Sequence, residues 1–75
     1  MLERIRYERL DHALKNGGVP KGSEIYNPGN TPFWARVIRV CVLNPITGLT
    51  LEIEPGRHYI VIDPHSMENY YVISH

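Results

Sequence analysis

Cysteine is almost missing from this 75-residue sequence, and long apolar segments are missing altogether. The single cysteine, Cys41, excludes an intrachain disulfide, which favours a reducing compartment. Uninterrupted apolar runs end at four residues, which is far too short for a membrane-spanning helix. The charged residues 1–10 are not followed by the apolar segment of an export signal. We therefore expect a cytoplasmic protein.

The chain also lacks an excess of charge of either sign, because eight Lys and Arg balance eight Asp and Glu. A net charge of zero argues against general binding of polyanions by bulk electrostatics. The charge is uneven along the chain, since residues 1–45 carry a net +3 and residues 46–75 a net −3. Such asymmetry can attract a partner or a second copy of the chain, or the two halves can neutralise each other within one fold.

The length predicts a single domain over residues 1–75, because so short a chain cannot bury two cores. One core of this size usually contributes no more than about 3–5 kcal/mol of net stability. Since no disulfide can form within the chain, a second copy of the chain is one way to add to that stability.

Residues 1–16 have the spacing of an amphipathic helix. Apolar side chains recur on one side of a helical wheel and charged side chains on the other. The apolar positions are Leu2, Tyr7, Leu10, Ala13 and Leu14, and the charged positions are Arg4, Glu8, Asp11 and Lys15. Gly17, Gly18 and Pro20 supply the signals that end a helix. The pattern therefore predicts an N-terminal helix over residues 1–16.

Residues 17–32 have the composition of a loop, with four of the six glycines and three of the six prolines. A loop of that length is unusual in a small domain, and it is either a binding segment, a partly disordered connector or a cover for a short strand. We favour a short edge strand over residues 24–26.

From Phe33 to the C-terminus the pattern changes to that of a sheet, with β-branched residues separated by Pro, Gly and Asn. Four strands joined by short breaks predict an antiparallel meander. A turn at Pro55–Gly56 and burial of one aliphatic face then set the register. The expected cross-strand partners are Ile53 and His58, Val42 and Leu51, Val40 and Ile53, Arg39 and Glu54, and, in the last strand, Tyr70 and Ile62.

The resulting fold class is α+β, with an N-terminal helix followed by a curved four- or five-stranded antiparallel meander. The helix can cover only one face of the sheet, yet the second face also carries apolar residues. These are Ala35, Val37, Cys41, Leu43, Tyr59, Val61, Tyr71 and Ile73. The second face is then closed by the sheet curling into a small SH3-like barrel, by the long loop, or by another molecule.

Residues of the types used in metal binding and catalysis occur near the C-terminus: His58, Asp63, His65, Ser66 and His75. In the expected meander His58 and His75 lie at one end, roughly 16 Å from Asp63 and His65, so each end offers two ligands where zinc needs three. A triad confined to one turn rarely has catalytic geometry, and Cys41 has no neighbouring base. We expect no metal, no cofactor and no enzymatic activity.

The surplus of apolar residues on the second face predicts a small non-catalytic protein-binding module, of the kind that inhibits or regulates a larger complex. Its partner is another protein or a second copy of the chain. The expected binding residues are Val37, Arg39, Glu52, Tyr59, Tyr71 and Ile73. The main alternative is a nucleic-acid-binding barrel that uses Arg4, Arg9, Lys21, Trp34 and Arg36, and a metal-dependent enzyme is a remote third.

Overall fold

The computed structural model describes residues 5–75, which form a six-stranded sheet with one α-helix and one 3-10 helix. The elements in chain order are β1 (Arg6–Arg9), α1 (Leu10–Lys15), β2 (Glu24–Asn27), β3 (Phe33–Asn44), β4 (Gly48–Glu54), β5 (His58–Ile62), the 3-10 helix (Ser66–Asn69) and β6 (Tyr71–Ser74). The strands lie in the order β1-β6-β2-β3-β4-β5, and neighbouring strands are antiparallel. Within residues 5–75 no helix has the length and apolar content needed to cross a membrane.

One face of the sheet packs with α1 and the 3-10 helix to form the hydrophobic core. Strand β4 contributes Leu49, Leu51 and Ile53 to this core. These residues alternate along the strand, so they share one face, and all three are buried. From outside the sheet, α1 contributes Leu10 and the 3-10 helix contributes Met67. The remaining buried apolar residues are Ala13, Ile25, Ala35, Val37, Ile62 and Val72.

The β4–β5 hairpin confirms the predicted register. Ile53 lies opposite His58, and the pairs of Leu51 with Ile60 and Leu49 with Ile62 follow. The strict alternation of aliphatic side chains fixes this register, because a shift by one residue would expose the entire set.

The predicted register between β3 and β4 is wrong. The ladder shifts between Val37 and Arg39 and again between Val40 and Val42, as in a β-bulge, so Val40 lies opposite Leu51. Arg39 consequently lies opposite Glu52, whereas the sequence placed it opposite Glu54. Val40 and Arg39 keep their predicted faces, and the irregularity between Val37 and Arg39 reverses the faces of the residues before it. This reversal moves Val37, together with Ala35, from the second face into the core.

The helix predicted over residues 1–16 is wrong for residues 6–9, which form β1 and pair with β6. Helix α1 begins only at Leu10. Long-range pairing overrides local helical propensity here, because β1 satisfies the backbone of an otherwise open edge of β6 and Tyr7 stacks on Tyr71. The first part of the predicted helix, residues 1–4, lies outside the described residues.

The strand predicted over residues 24–26 is confirmed as β2, but its predicted place at an edge is wrong, because β2 lies between β6 and β3. Strand β6, however, lies between β1 and β2 and does not adjoin β5, so the predicted pairing of Tyr70 with Ile62 is wrong. The sheet remains open, with β1 and β5 as its edges, and the SH3-like barrel is not confirmed.

Candidate functional site

The face of the sheet opposite the core, here called the open face, is most apolar beside the edge strand β5. Tyr59 is 60% exposed and Val61 is 65% exposed, and Val42 on β3 is 51% exposed. The register joins them across β4, since Val42 and Val61 both lie opposite Thr50. We call Val42, Tyr59 and Val61, together with the backbone edge of β5, the β5 surface.

A buried carboxylate lies at the border of this surface. The Glu52 side chain on β4 is only 5% exposed, between Arg39 on β3 and Tyr59 on β5. Arg39 Nε donates a hydrogen bond to Glu52 Oε1 at 2.8 Å, and Arg57 Nε donates to Oε2 at 3.4 Å. The bond to Glu52 raises the pKa of the Arg39 guanidinium. The charged groups at the border of the β5 surface are therefore paired with one another.

The two edges of the sheet differ in their protection against further pairing. Within the described residues β5 pairs only with β4, and its five residues His58–Ile62 contain no Lys, Arg, Asp, Glu or Pro. Three of the four residues of β1 are charged: Arg6, Glu8 and Arg9. Charged side chains and prolines are the usual means of blocking an edge strand, so β5 is the edge that can accept another strand.

The other half of the open face carries a row of aromatic side chains. Tyr71 on β6 lies opposite Tyr26 on β2, and Tyr26 lies opposite Trp34 on β3. Tyr7 on β1 stacks on Tyr71, with ring centroids 4.9 Å apart and an interplanar angle of 10°. We call Tyr26, Trp34 and Tyr71 the aromatic row. Its rings are held by the sheet, which leaves Trp34 48% exposed.

Glu24 fixes one end of the aromatic row. The Trp34 indole Nε1 donates a hydrogen bond to Glu24 Oε1 at 2.9 Å, and His75 Nε2 lies 2.9 Å from Glu24 Oε2. The hydrogen bond with His75, followed by that from Trp34, lowers the pKa of the Glu24 carboxyl. Arg36 lies on the same face between Glu24 and Glu54 of the neighbouring strands.

The structure separates the residues that the sequence placed in one protein-binding site. Arg39, Glu52 and Tyr59 lie together at the β5 surface. Tyr71 and Ile73 share the open face but lie on β6, four strands from β5, which is about 19 Å. Val37 is 1% exposed and lies in the core, so its predicted place on an accessible face is wrong.

The residues of the nucleic-acid alternative are only partly brought together. Trp34 and Arg36 share the open face of β3. Arg9 lies opposite Tyr71, and its guanidinium is held by the Asp11 carboxylate at 2.6 Å. Lys21 lies in the loop before β2, beside a shallow depression that Arg36 also lines. Arg4 lies outside the described residues.

The histidines near the C-terminus do not converge. His75 follows β6 and lies next to Glu24. Because β2, β3 and β4 separate β6 from β5, His75 is not the neighbour of His58 that the meander predicted. Asp63 Oδ1 accepts a hydrogen bond from the Ser66 backbone N–H at 2.8 Å, as expected of a capping turn, and this bond lowers the pKa of the Asp63 carboxyl. Across residues 5–75, His, Cys, Asp and Glu form no group of three that could hold a metal ion.

Val42 and Val61 were not predicted as site residues, and neither was the edge of β5. The run from His58 to Ile62 without a formal charge was the available signal, but it indicates an edge only when the strand order is known. No family model matches this chain, and no curated protein or solved structure matches it either.

Proposed function

We propose that this protein is a small protein-binding module that holds its partner at the β5 surface. The observation that carries the proposal is the position of Tyr59 and Val61, which are exposed on a sheet edge that has no strand beside it in the described residues. An exposed apolar edge strand is a ready acceptor for an extended segment of another chain.

Binding in this mode adds a seventh strand next to β5. Backbone hydrogen bonds along the edge then supply affinity, and alternate side chains of the added strand supply specificity. Tyr59 and Val61 contact the alternate residues that point to the open face. Arg39 and Glu52 lie at the border of this contact, where polar residues usually surround an apolar centre. A stand-alone inhibitor or regulator of a larger complex could bind in this manner.

The test compares two tyrosines that differ mainly in position. Tyr59 and Tyr7 are 60% and 56% exposed, and they lie on opposite edge strands of the same sheet. We expect Tyr59→Ser to weaken the affinity for a partner isolated from the native host by about tenfold or more, as at an aromatic hot spot. Tyr7→Ser should leave that affinity within about twofold, well inside the ~1.4 kcal/mol of a tenfold change. Equal affinities of the two folded variants, measured with the purified partner, would contradict the proposal.

A second candidate function is binding of single-stranded nucleic acid at the aromatic row. The specific observation is that Tyr71, Tyr26 and Trp34 lie side by side on adjacent strands, an arrangement on which successive bases can stack. The charge around the aromatic row argues against nucleic-acid binding, since Arg36 lies between the carboxylates of Glu24 and Glu54. Fluorescence of Trp34, the only tryptophan, separates the candidates: a salt-dependent change on adding oligonucleotides favours this function, and no change favours the β5 surface.

A further inference from the structure

The geometry points to a second copy of this chain as an occupant of the β5 surface, with β5 antiparallel to β5 of its partner about a twofold axis at Ile60. This inference rests on the proposed function, because it names a partner for the same edge. The product is a continuous twelve-stranded sheet in which the two open faces lie on the same side.

The apolar pattern limits the possible registers. The apolar residues of both open faces meet only if the axis passes through a residue of β5, because side chains alternate between the faces. Near the middle of the strand that residue is Tyr59, Ile60 or Val61. With the axis at Ile60, Tyr59 of each chain lies opposite Val61 of the other. Aromatic and β-branched side chains form favourable cross-strand pairs of this kind.

Charge selects the same register. Arg57 immediately precedes β5 and Asp63 immediately follows it, and both are exposed. The long contact of Arg57 Nε with Glu52 Oε2, at 3.4 Å, leaves the Arg57 side chain 79% exposed. An axis at Ile60 places Arg57 of each chain opposite Asp63 of the other, so the paired strands end in two ion pairs. An axis at Tyr59 places Arg57 opposite Val61, and an axis at Val61 places Tyr59 opposite Asp63. Neither of these two axis positions places opposite charges opposite each other. The net charge of the chain is zero, so two copies do not repel each other overall.

The contrast between the two edges indicates a closed dimer. Pairing of β5 with itself uses the same edge of both chains, which closes after two copies. Growth into a longer array would need β1, whose residues Arg6, Glu8 and Arg9 make it a poor acceptor. Because five paired residues bury less than the roughly 1,200 Å² of a stable interface, we expect a dissociation constant on the order of 0.1 mM.

Sedimentation equilibrium over a concentration series tests the proposal. The mass should rise from 8.7 kDa toward twice that value.

Arg57→Glu and Asp63→Arg each place like charges opposite each other at both ends, so each variant alone should dimerise about tenfold more weakly. An equimolar mixture of the two should recover near wild-type association, because each chain again meets an opposite charge. Lys15→Glu makes the same change in net charge as Arg57→Glu on the exposed end of α1, and it should have no effect.

The outcomes are separable from those of the proposed function. A wild-type chain that stays monomeric up to about 1 mM overturns the dimer, and so does a mixture that associates no better than either variant alone. Loss of another protein's binding in Tyr59→Ser would then still support the proposed function. If a charge variant fails to fold by circular dichroism, Val61→Lys places a charge on the exposed centre of β5. Its control is Leu43→Lys on β3, since Leu43 is 56% exposed and lies outside the β5 surface. Dimerisation that survives Val61→Lys also overturns the proposal.

Discussion

At the scale of single residues, Glu24 connects three parts of the chain. It lies on β2, accepts a hydrogen bond from Trp34 of β3, and contacts His75 at the C-terminus. Its carboxylate therefore helps to hold the aromatic row and the end of the chain together. These contacts favour the charged form of Glu24, so the carboxyl has a lowered pKa in the folded protein.

The lowered pKa of Glu24 predicts a pH-dependent signal from Trp34. A carboxyl with a folded pKa below its ordinary value of 4.5 stabilises the fold fully above 4.5, and that contribution is lost as the pH falls through the folded pKa. We expect the Trp34 fluorescence of the folded protein to change with a midpoint below pH 4.5. Glu24→Gln should remove this change, since the group that titrates is gone.

The control for that titration is Asp63→Asn. Asp63 also has a lowered pKa, but the cause is the hydrogen bond from the Ser66 backbone, in a turn that Trp34 does not share. The fluorescence change should therefore persist in Asp63→Asn. A midpoint at or above 4.5, or a change that persists in Glu24→Gln while circular dichroism shows a folded chain, would contradict the assignment.

At the scale of elements, the sequence predicted those strands whose signals are local. Alternation in β4 and β5 around Pro55–Gly56 gave both strands and their register, and the apolar centre of β2 was recognisable inside a Gly- and Pro-rich segment. Residues 6–9 were misassigned because Tyr7 and Leu10 fit a helical stripe as well as a strand end. The choice between helix and strand is decided by pairing with β6, which lies at the other end of the chain and contributes nothing to the local sequence pattern.

The two irregularities in β3 could not be predicted for a related reason. The run from Arg36 to Leu43 contains apolar residues on both faces, so several registers bury an aliphatic stripe almost equally well. The structure chooses the one that places Arg39 opposite Glu52, whose side chain is buried and needs a charged partner. Arg39, Glu52 and Tyr59 therefore lie side by side, although the predicted cross-strand partner of Arg39 was wrong.

The turn between β3 and β4 depends on Gly48. Its φ is +99°, and a Cβ there would lie 2.1 Å from the Ile62 carbonyl oxygen, a backbone atom of β5 that cannot swing away. Gly17 has a similar φ of +109°, but a Cβ at Gly17 would meet no other atom within 4 Å, so this position isolates the backbone effect. We expect Gly17→Ala to lower the free energy of unfolding by about 1 kcal/mol.

Gly48→Ala should lower the free energy of unfolding by about 3 kcal/mol or more, because the β4–β5 ladder must also move. With only about 3–5 kcal/mol available in a chain of this length, this variant should be largely unfolded. Urea titrations followed by circular dichroism provide the measurement. If Gly17→Ala and Gly48→Ala lower the free energy of unfolding equally, Gly48 does not lie as close to β5 as the structure places it.

At the scale of the whole molecule, the strand order was beyond local inference. A meander places each strand beside its predecessor, whereas β6 crosses the sheet to lie between β1 and β2. The segment that carries it is held by Met67 in the core and by the hydrogen bond from the Leu10 N–H to the Tyr70 carbonyl at 2.8 Å. This crossing separates Tyr71 and Ile73 from Tyr59, and it leaves β5 as an edge.

An open sheet predicts a gradient of amide exchange that a closed barrel would not show. In an edge strand about half of the N–H groups point away from the sheet, so at low protein concentration the outward amides of β5 and β1 should exchange with little protection. Amides of β4, which pairs on both sides, should be protected by about 10²–10⁴-fold, the limit that global unfolding sets for a stability of about 3–5 kcal/mol. Raising the concentration should protect the outward amides of β5 and leave those of β1 unchanged, because only β5 has an uncharged edge. The measurement is amide exchange followed residue by residue by NMR. Uniform protection across all six strands would mean that the sheet has no free edge. In that case β5 could not accept another strand, and the proposed binding at β5 would lose its basis.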